Sequence, residues 1–162
     1  MPCKLTVKTL LVSIVGFITT SLYAQQLDKR HTHHTYEFGV ANSFVYFAKE
    51  KENAYGLHMH LVKNSNHSAL GFGIAYERIF DEHKHNTIGL VGSYYLFESL
   101  HINLTPGVTF KDNEPLNMKF AFHAGTSYNF SLGNFHLGPM LELAFDPEDY
   151  HISIGLHMGY GF

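Results

Sequence analysis

The sequence predicts an all-β protein, an up-and-down antiparallel barrel of about eight strands that crosses a membrane. Three observations carry this. From residue 35 to residue 162 the chain alternates apolar with polar or small side chains at a period of two, which is the period of a strand with two different surroundings. The apolar face recurs in every segment, so it needs one continuous apolar environment. The opposite face collects His, Glu, Ser and Gly, which fit a polar lumen and not lipid.

The N-terminus reads separately. Lys4 and Lys8 precede a short apolar run at 10–18, and small residues follow up to Ala24, the layout of a secretory signal peptide. The run is shorter than the roughly 20 apolar residues a spanning helix needs. Leu22 stands where a small residue is preferred, and the expected mature chain begins at Gln25. Cleavage of 1–24 removes Cys3, the only cysteine, so no disulfide staples the mature protein. It also leaves 9 basic against 14 acidic residues, a balance that argues against nucleic acid as a partner. Residues 25–34, QQLDKRHTHH, form a polar His-rich arm without apolar period.

Eight strands follow in order. Segment 35–47 places Tyr36, Phe38, Val40, Phe44 and Tyr46 on the lipid face, and 55–63 places Tyr55, Leu57, Met59 and Leu61 there. Segment 69–80 contributes Leu70, Phe72, Ile74 and Tyr76, and 86–97 contributes Ile88, Leu90, Tyr94 and Leu96. Segments 100–111 and 117–130 carry Leu100, Ile102, Leu104, Val108 and Phe110, then Met118, Phe120, Phe122 and Tyr128. Segment 135–146 supplies Phe135, Leu137, Leu141 and Leu143, and 150–162 alternates Tyr150, Ile152, Ile154, Leu156, Met158, Tyr160 and Phe162 with polar or small residues. Each is long enough for a tilted transmembrane strand of roughly 9 to 11 residues. Tyr36, Tyr46, Tyr55, Tyr150 and Tyr160 fall near strand ends, at headgroup level, and Lys63 and Arg78 have lipid parity but can reach the interface. Pro106 and Pro139 lie inside strands, and bulges are expected to accommodate them.

AKEKENA, KNSNH, FDEHKHN, ESL, KDNEPL, SLGN and DPED supply the turns. An even strand count puts both ends of the mature barrel on one side, the periplasm of a Gram-negative cell, with connections 48–54, 81–85 and 112–116 outside. A soluble lipocalin-like barrel is the alternative, but it would reverse the polarity of the two faces.

The terminal IGLHMGYGF, alternating and ending on Phe162, resembles the C-terminal signature by which outer-membrane barrels are recognised by their assembly machinery. Eight strands and short turns resemble the small barrel family that includes the transmembrane domain of outer-membrane protein A and its single-domain relatives. The resemblance implies a monomeric outer-membrane barrel in contact with lipid and lipopolysaccharide. It carries no catalytic motif and transfers no function.

Histidine is the compositional anomaly: 13 residues against 11 for Lys and Arg together. An eight-stranded barrel has room inside only for its own side chains. The leading expectation is therefore a self-plugged lumen in which Glu37, Glu77 and Glu142 accept hydrogen bonds from histidines, Lys119 and Asn103. The protein would then be a non-enzymatic barrel with a structural, adhesive or ligand-contact role and no cofactor.

A second expectation is zinc, copper or nickel held by His58 and His60, two residues apart on the lumen face, or by Asp81, Glu82, His83 and His85 in a loop, with His31, His33 and His34 crowding the arm. A third is a hydrolase. If Pro147 and Glu148 form a two-residue turn, Glu142 comes opposite Ser153, with His151 on the same face. The His151–Ser153 spacing is similar to that of outer-membrane lipid A deacylases, but here Ile154 follows the serine, Glu142 precedes the pair, and the trio has lumen parity.

Overall fold

The structure, a computed structural model, describes residues 34–82, 84–147 and 149–162. The expected signal peptide and residues 25–33 of the arm lie outside the described residues. Among the described residues nine strands run in chain order: β1 (Tyr36–Phe47), β2 (Glu52–Asn64), β3 (Leu70–Ile79), β4 (His85–Phe97), β5 (Leu100–Lys111), β6 (Glu114–Tyr128), β7 (Phe130–Leu132), β8 (Phe135–Phe145) and β9 (Tyr150–Gly161). Each pairs antiparallel with its sequence neighbour along β1 to β6 and β7 to β9, β6 pairs with β8, and β9 pairs with β1. The sheet therefore closes on itself. β6 and β7 act as one strand interrupted at Asn129, since both pair with β8, so the barrel has eight staves.

The alternation places the two faces as expected. Leu90 and Phe120 keep 67% and 64% of their surface, whereas Val45 and Ser153 keep none. Aromatic rings collect at both ends of the wall. Near the chain termini Phe162 stacks on Tyr36 at 5.8 Å, Tyr160 packs on Phe135 at 4.7 Å, and Lys63 Nζ lies over the Tyr36 ring. At the opposite, distal end Tyr55 packs on Phe80 at 5.7 Å, and Arg78 lies over Phe80 at 5.4 Å. Both cations thus reach strand ends, as their long stems allow.

Strand ends differ from expectation at two distal turns. β2 begins at Glu52 and β6 at Glu114, so distal connections 48–54 and 112–116 shrink to 48–51 and 112–113. Lys51 takes positive φ in the first of these turns, at 58°, and Lys84 takes it in the β3–β4 connection, at 54°. The proline expectation also needs correction. Register shifts occur between Tyr95 and Phe97 and between Thr109 and Lys111, beside turns, while Pro106 and Pro139 sit in unshifted ladders, opposite Phe122 and Leu156. What happens instead is a local break. β8 loses its pairing with the β6–β7 stave around Tyr128 and Asn129, facing Pro139 and Gly138, where Pro139 has no N–H to donate. Gly138 suits this break because a Cβ there would collide with the Tyr128 carbonyl oxygen.

The lumen is not uniformly polar. Val45, Phe47 and Ile79 form a buried apolar cluster with Ala54, and Val62, Ala75 and Val91 form a second. These residues occupy lumen parity, and the polar-lumen expectation did not foresee them. Between the clusters the interior is filled by histidines and carboxylates.

Candidate functional site in the lumen

Register explains how the lumen groups meet. Ala41 pairs with His58 and His157, and Gly39 with His60 and Gly159. Glycine and alanine on β1 thus leave room for the imidazoles of β2 and β9. A Cβ at Gly39 would run into the His60 ring. Packing, and not only polarity, selects the small residues of this face.

Three groups result. Toward the chain termini Glu37 is surrounded: His136 Nε2 lies 3.4 Å and His60 Nε2 3.5 Å from Oε1, and the Tyr95 hydroxyl lies 3.5 Å from Oε2 while donating to Asn64 at 2.9 Å. His157 stacks on His60 at 5.2 Å and donates from Nδ1 to Asn129 Oδ1 at 3.3 Å. Asn129 in turn meets His101 Nδ1 at 3.3 Å, and His101 Nε2 meets Ser127 Oγ at 2.8 Å. The residue that interrupts the β6–β7 stave is therefore turned inward as a polar bridge.

At mid-lumen His123 Nδ1 stands 3.1 Å from Glu142 Oε1 and 3.4 Å from Glu77 Oε2. His58, Glu77 and Glu142 offer ligand atoms within 4.8 Å of one another, and so do Glu37, His136 and His157. At the distal mouth Asp81 accepts from the His85 backbone N–H at 3.0 Å, and its Oδ2 lies 2.7 Å from His85 Nδ1.

The sequence-derived candidates are distributed over these groups. His58 and His60 adjoin, with ring centroids 5.6 Å apart, but they address different carboxylates. Asp81 and His85 pair with each other, Glu82 is exposed, and His83 lies outside the described residues. Glu142 does face Ser153 across the β8–β9 ladder, and the Asp146 N–H bonds the Asp149 carbonyl at 3.0 Å. Yet Ser153 Oγ and both His151 ring nitrogens are buried without a hydrogen-bond partner, and His151 packs against Phe47 and His123. The trio shares a face without forming a nucleophile–base pair. Of the plug residues, Lys119 stands at the distal mouth beside His85 and Asp146, and Asn103 Oδ1 has no partner. The cluster of His136, His157 and Tyr95 about Glu37 was not singled out from sequence. Strand parity alone would have placed all four inward, but their shared height needed the register.

A second network, outside the lumen, had no sequence signal. Asn86 Oδ1 accepts from the Tyr76 hydroxyl at 2.7 Å and from Arg78 at 3.3 Å, while Asp112 accepts from Arg78 and from Asn86, each at 2.7 Å. This clasp ties β3 and β4 to the β5–β6 turn on the distal outer wall. The Asn86 amide and the Arg78 guanidinium hold the Asp112 carboxyl below its usual range.

No family model matches the sequence, and a search of curated proteins finds no match. Solved structures do match. Neisserial surface protein A superposes with a TM-score of 0.58 at 12% identity, over 78% of this chain and 96% of that one. Ail, the attachment invasion locus protein of Yersinia pestis, gives 0.52 at 16% identity over 78% and 96%. The N-terminal β-barrel domain of Pseudomonas aeruginosa OprF gives 0.50 at 15% over 81% and 100%. At these identities the likeness speaks for the fold alone: the chain folds as a small eight-stranded barrel of the outer-membrane type.

Proposed function

We propose that this protein is a non-enzymatic integral outer-membrane barrel with a structural or surface-contact role and a lumen closed by its own side chains. One observation carries the reading: a belt of exposed apolar residues surrounds the whole wall, while His, Glu and Ser point inward and are buried. Such a surface suits lipid, where closing the sheet pairs the edge strands that would otherwise stay open. The similarity to outer-membrane barrels supports the same membrane.

Both chain termini then face the periplasm, and the distal end faces outward. Its exposed Lys49, Glu50, Lys51, Glu82, Lys84 and Asp112 form a narrow rim of mixed charge. Contact with lipopolysaccharide headgroups or a surface ligand would fall there. Recognition by the assembly machinery would use β9 and Phe162, and the closed barrel needs no second copy.

Cell fractionation tests this. The protein should sediment with outer membranes and run as a heat-modifiable band, and the purified barrel should leave planar bilayers non-conducting. Recovery from the soluble periplasm with no heat-modifiable form would overturn the membrane assignment, and steady conductance would overturn the plug.

A further inference from the structure

We propose that the mid-lumen is a binding site for one divalent transition-metal cation, zinc above all, held by His58, Glu77 and Glu142 with His123 completing the set. The site goes beyond the role of the barrel in its membrane, and its test does not depend on which membrane that is.

Buried charge favours a cation here. Glu77 and Glu142 keep only 3% and 5% of their surface, and His123 bridges them. With both glutamates ionised, even a fully protonated His123 balances only one of the two carboxylates. A buried charge left unbalanced is expensive. A dication between the carboxylates, with neutral imidazoles beside it, balances both.

Coordinating atoms also stand unused. His58 Nδ1 is buried without a hydrogen-bond partner, and Glu77 Oε2 has only its 3.4 Å approach to His123. His58, Glu77 and Glu142 converge within 4.8 Å, a spread that a cation at ordinary zinc–nitrogen and zinc–oxygen distances of about 2.0–2.2 Å can bridge with small side-chain movements. His58, Glu77 and Glu142 form a three-ligand set of the hardness zinc accepts, and His123 Nδ1 stands beside it, 3.1 Å from Glu142 and 3.4 Å from Glu77, as the fourth donor.

The lumen has space there as well. A cavity of about 20 Å³ is lined by His58, His60, Asn103, Gly125, Glu142 and His157. That is room for a water-sized occupant beside the cluster. Gly125 lines it, and a Cβ there would be in ordinary contact with Glu142 Oε2 at 3.4 Å.

The experiment is zinc titration of the refolded full barrel, with metal content by mass spectrometry and cobalt substitution followed by visible absorption. Wild type should take one zinc per barrel at the lumen and give the intense cobalt bands of a four-coordinate nitrogen–oxygen site. Glu77→Gln and His58→Gln should each weaken that binding at least tenfold, while His85→Ala at the mouth and His67→Ala in an exposed turn should not change it. Should Glu77→Gln fail to reach the heat-modifiable form, His58→Gln and the wild-type cobalt spectrum decide. No stoichiometric binding by wild type, wild-type affinity retained in both lumen variants, or loss confined to His85→Ala would each overturn the site.

Discussion

Glu142 and Ser153 face each other across the β8–β9 ladder, yet the serine hydroxyl is fully enclosed and unpartnered while the carboxylate is engaged by His123 at 3.1 Å. An unpaired buried hydroxyl adds nothing to stability and leaves its desolvation uncompensated. Ser153→Ala should therefore leave stability unchanged or raise it by up to about 1 kcal/mol, read as the urea midpoint of the barrel in lipid vesicles. Mass spectrometry of lipid A from cells carrying the variant should show no change. Accumulation of extra acyl chains in that variant would restore the hydrolase reading.

The outer wall makes a depth prediction. Leu90 lies midway along β4 and faces lipid, opposite Ile74 of β3. Leu90→Lys should destabilise the barrel by about 2–4 kcal/mol, the range for a cation at midplane, whereas Leu116→Lys near the distal end of β6 should change it by about 0–1 kcal/mol. Equal effects at the two positions would mean that the lipid boundary has been misplaced.

Close backbone approach predicts a contrast between two glycines. Gly73 points into the lumen, and a Cβ there would press on the Leu61 carbonyl oxygen, while Gly92 has nothing nearer than 3.9 Å. Gly73→Ala should lower stability by about 1–3 kcal/mol through overpacking, and Gly92→Ala should be close to neutral. Denaturation of both variants under the same conditions checks the difference.

The distal clasp predicts a pH response. Asn86 first, then Arg78, lowers the Asp112 carboxyl in the folded protein. A carboxylate depressed on folding adds stability above its unfolded value of about 3.9, and that contribution disappears as pH falls through the lower folded value. NMR titration of the Asp112 side-chain carbon should give a midpoint below that of an unfolded peptide, and Asn86→Ala should move it upward. An unmoved midpoint in the variant would assign the shift to Arg78 alone.

Strand count, polarity of the two faces and the aromatic ends were legible because period two is a local property: Tyr36 to Phe47 alternates whatever pairs with it. Which lumen residues share a height was not legible, since His58 meets Glu77 and Glu142 only through the registers of two separate hairpins. Glu142 opposite Ser153 was recoverable because a single short turn fixes that register. The apolar lumen clusters of Val45 and Val62 escaped because a small barrel must also fill its bore by volume, a constraint that polarity patterns do not record. The ladder break at Asn129 likewise depends on Pro139, a residue of another strand.

At the seam, Tyr36 and Phe162 exchange both backbone hydrogen bonds, N to O at 2.9 Å each way. The two strands that complete the wall are thus the first and last of the barrel, and they are made at opposite ends of its synthesis. β1 must wait with one edge unsatisfied until β9 exists, which leaves any nascent fragment an open sheet prone to pairing with other chains. Joining the ends encloses nearly the whole described chain in one loop, so the entropy of closure falls on a single late event. The barrel should accordingly close only once β9 has been made and has joined β1.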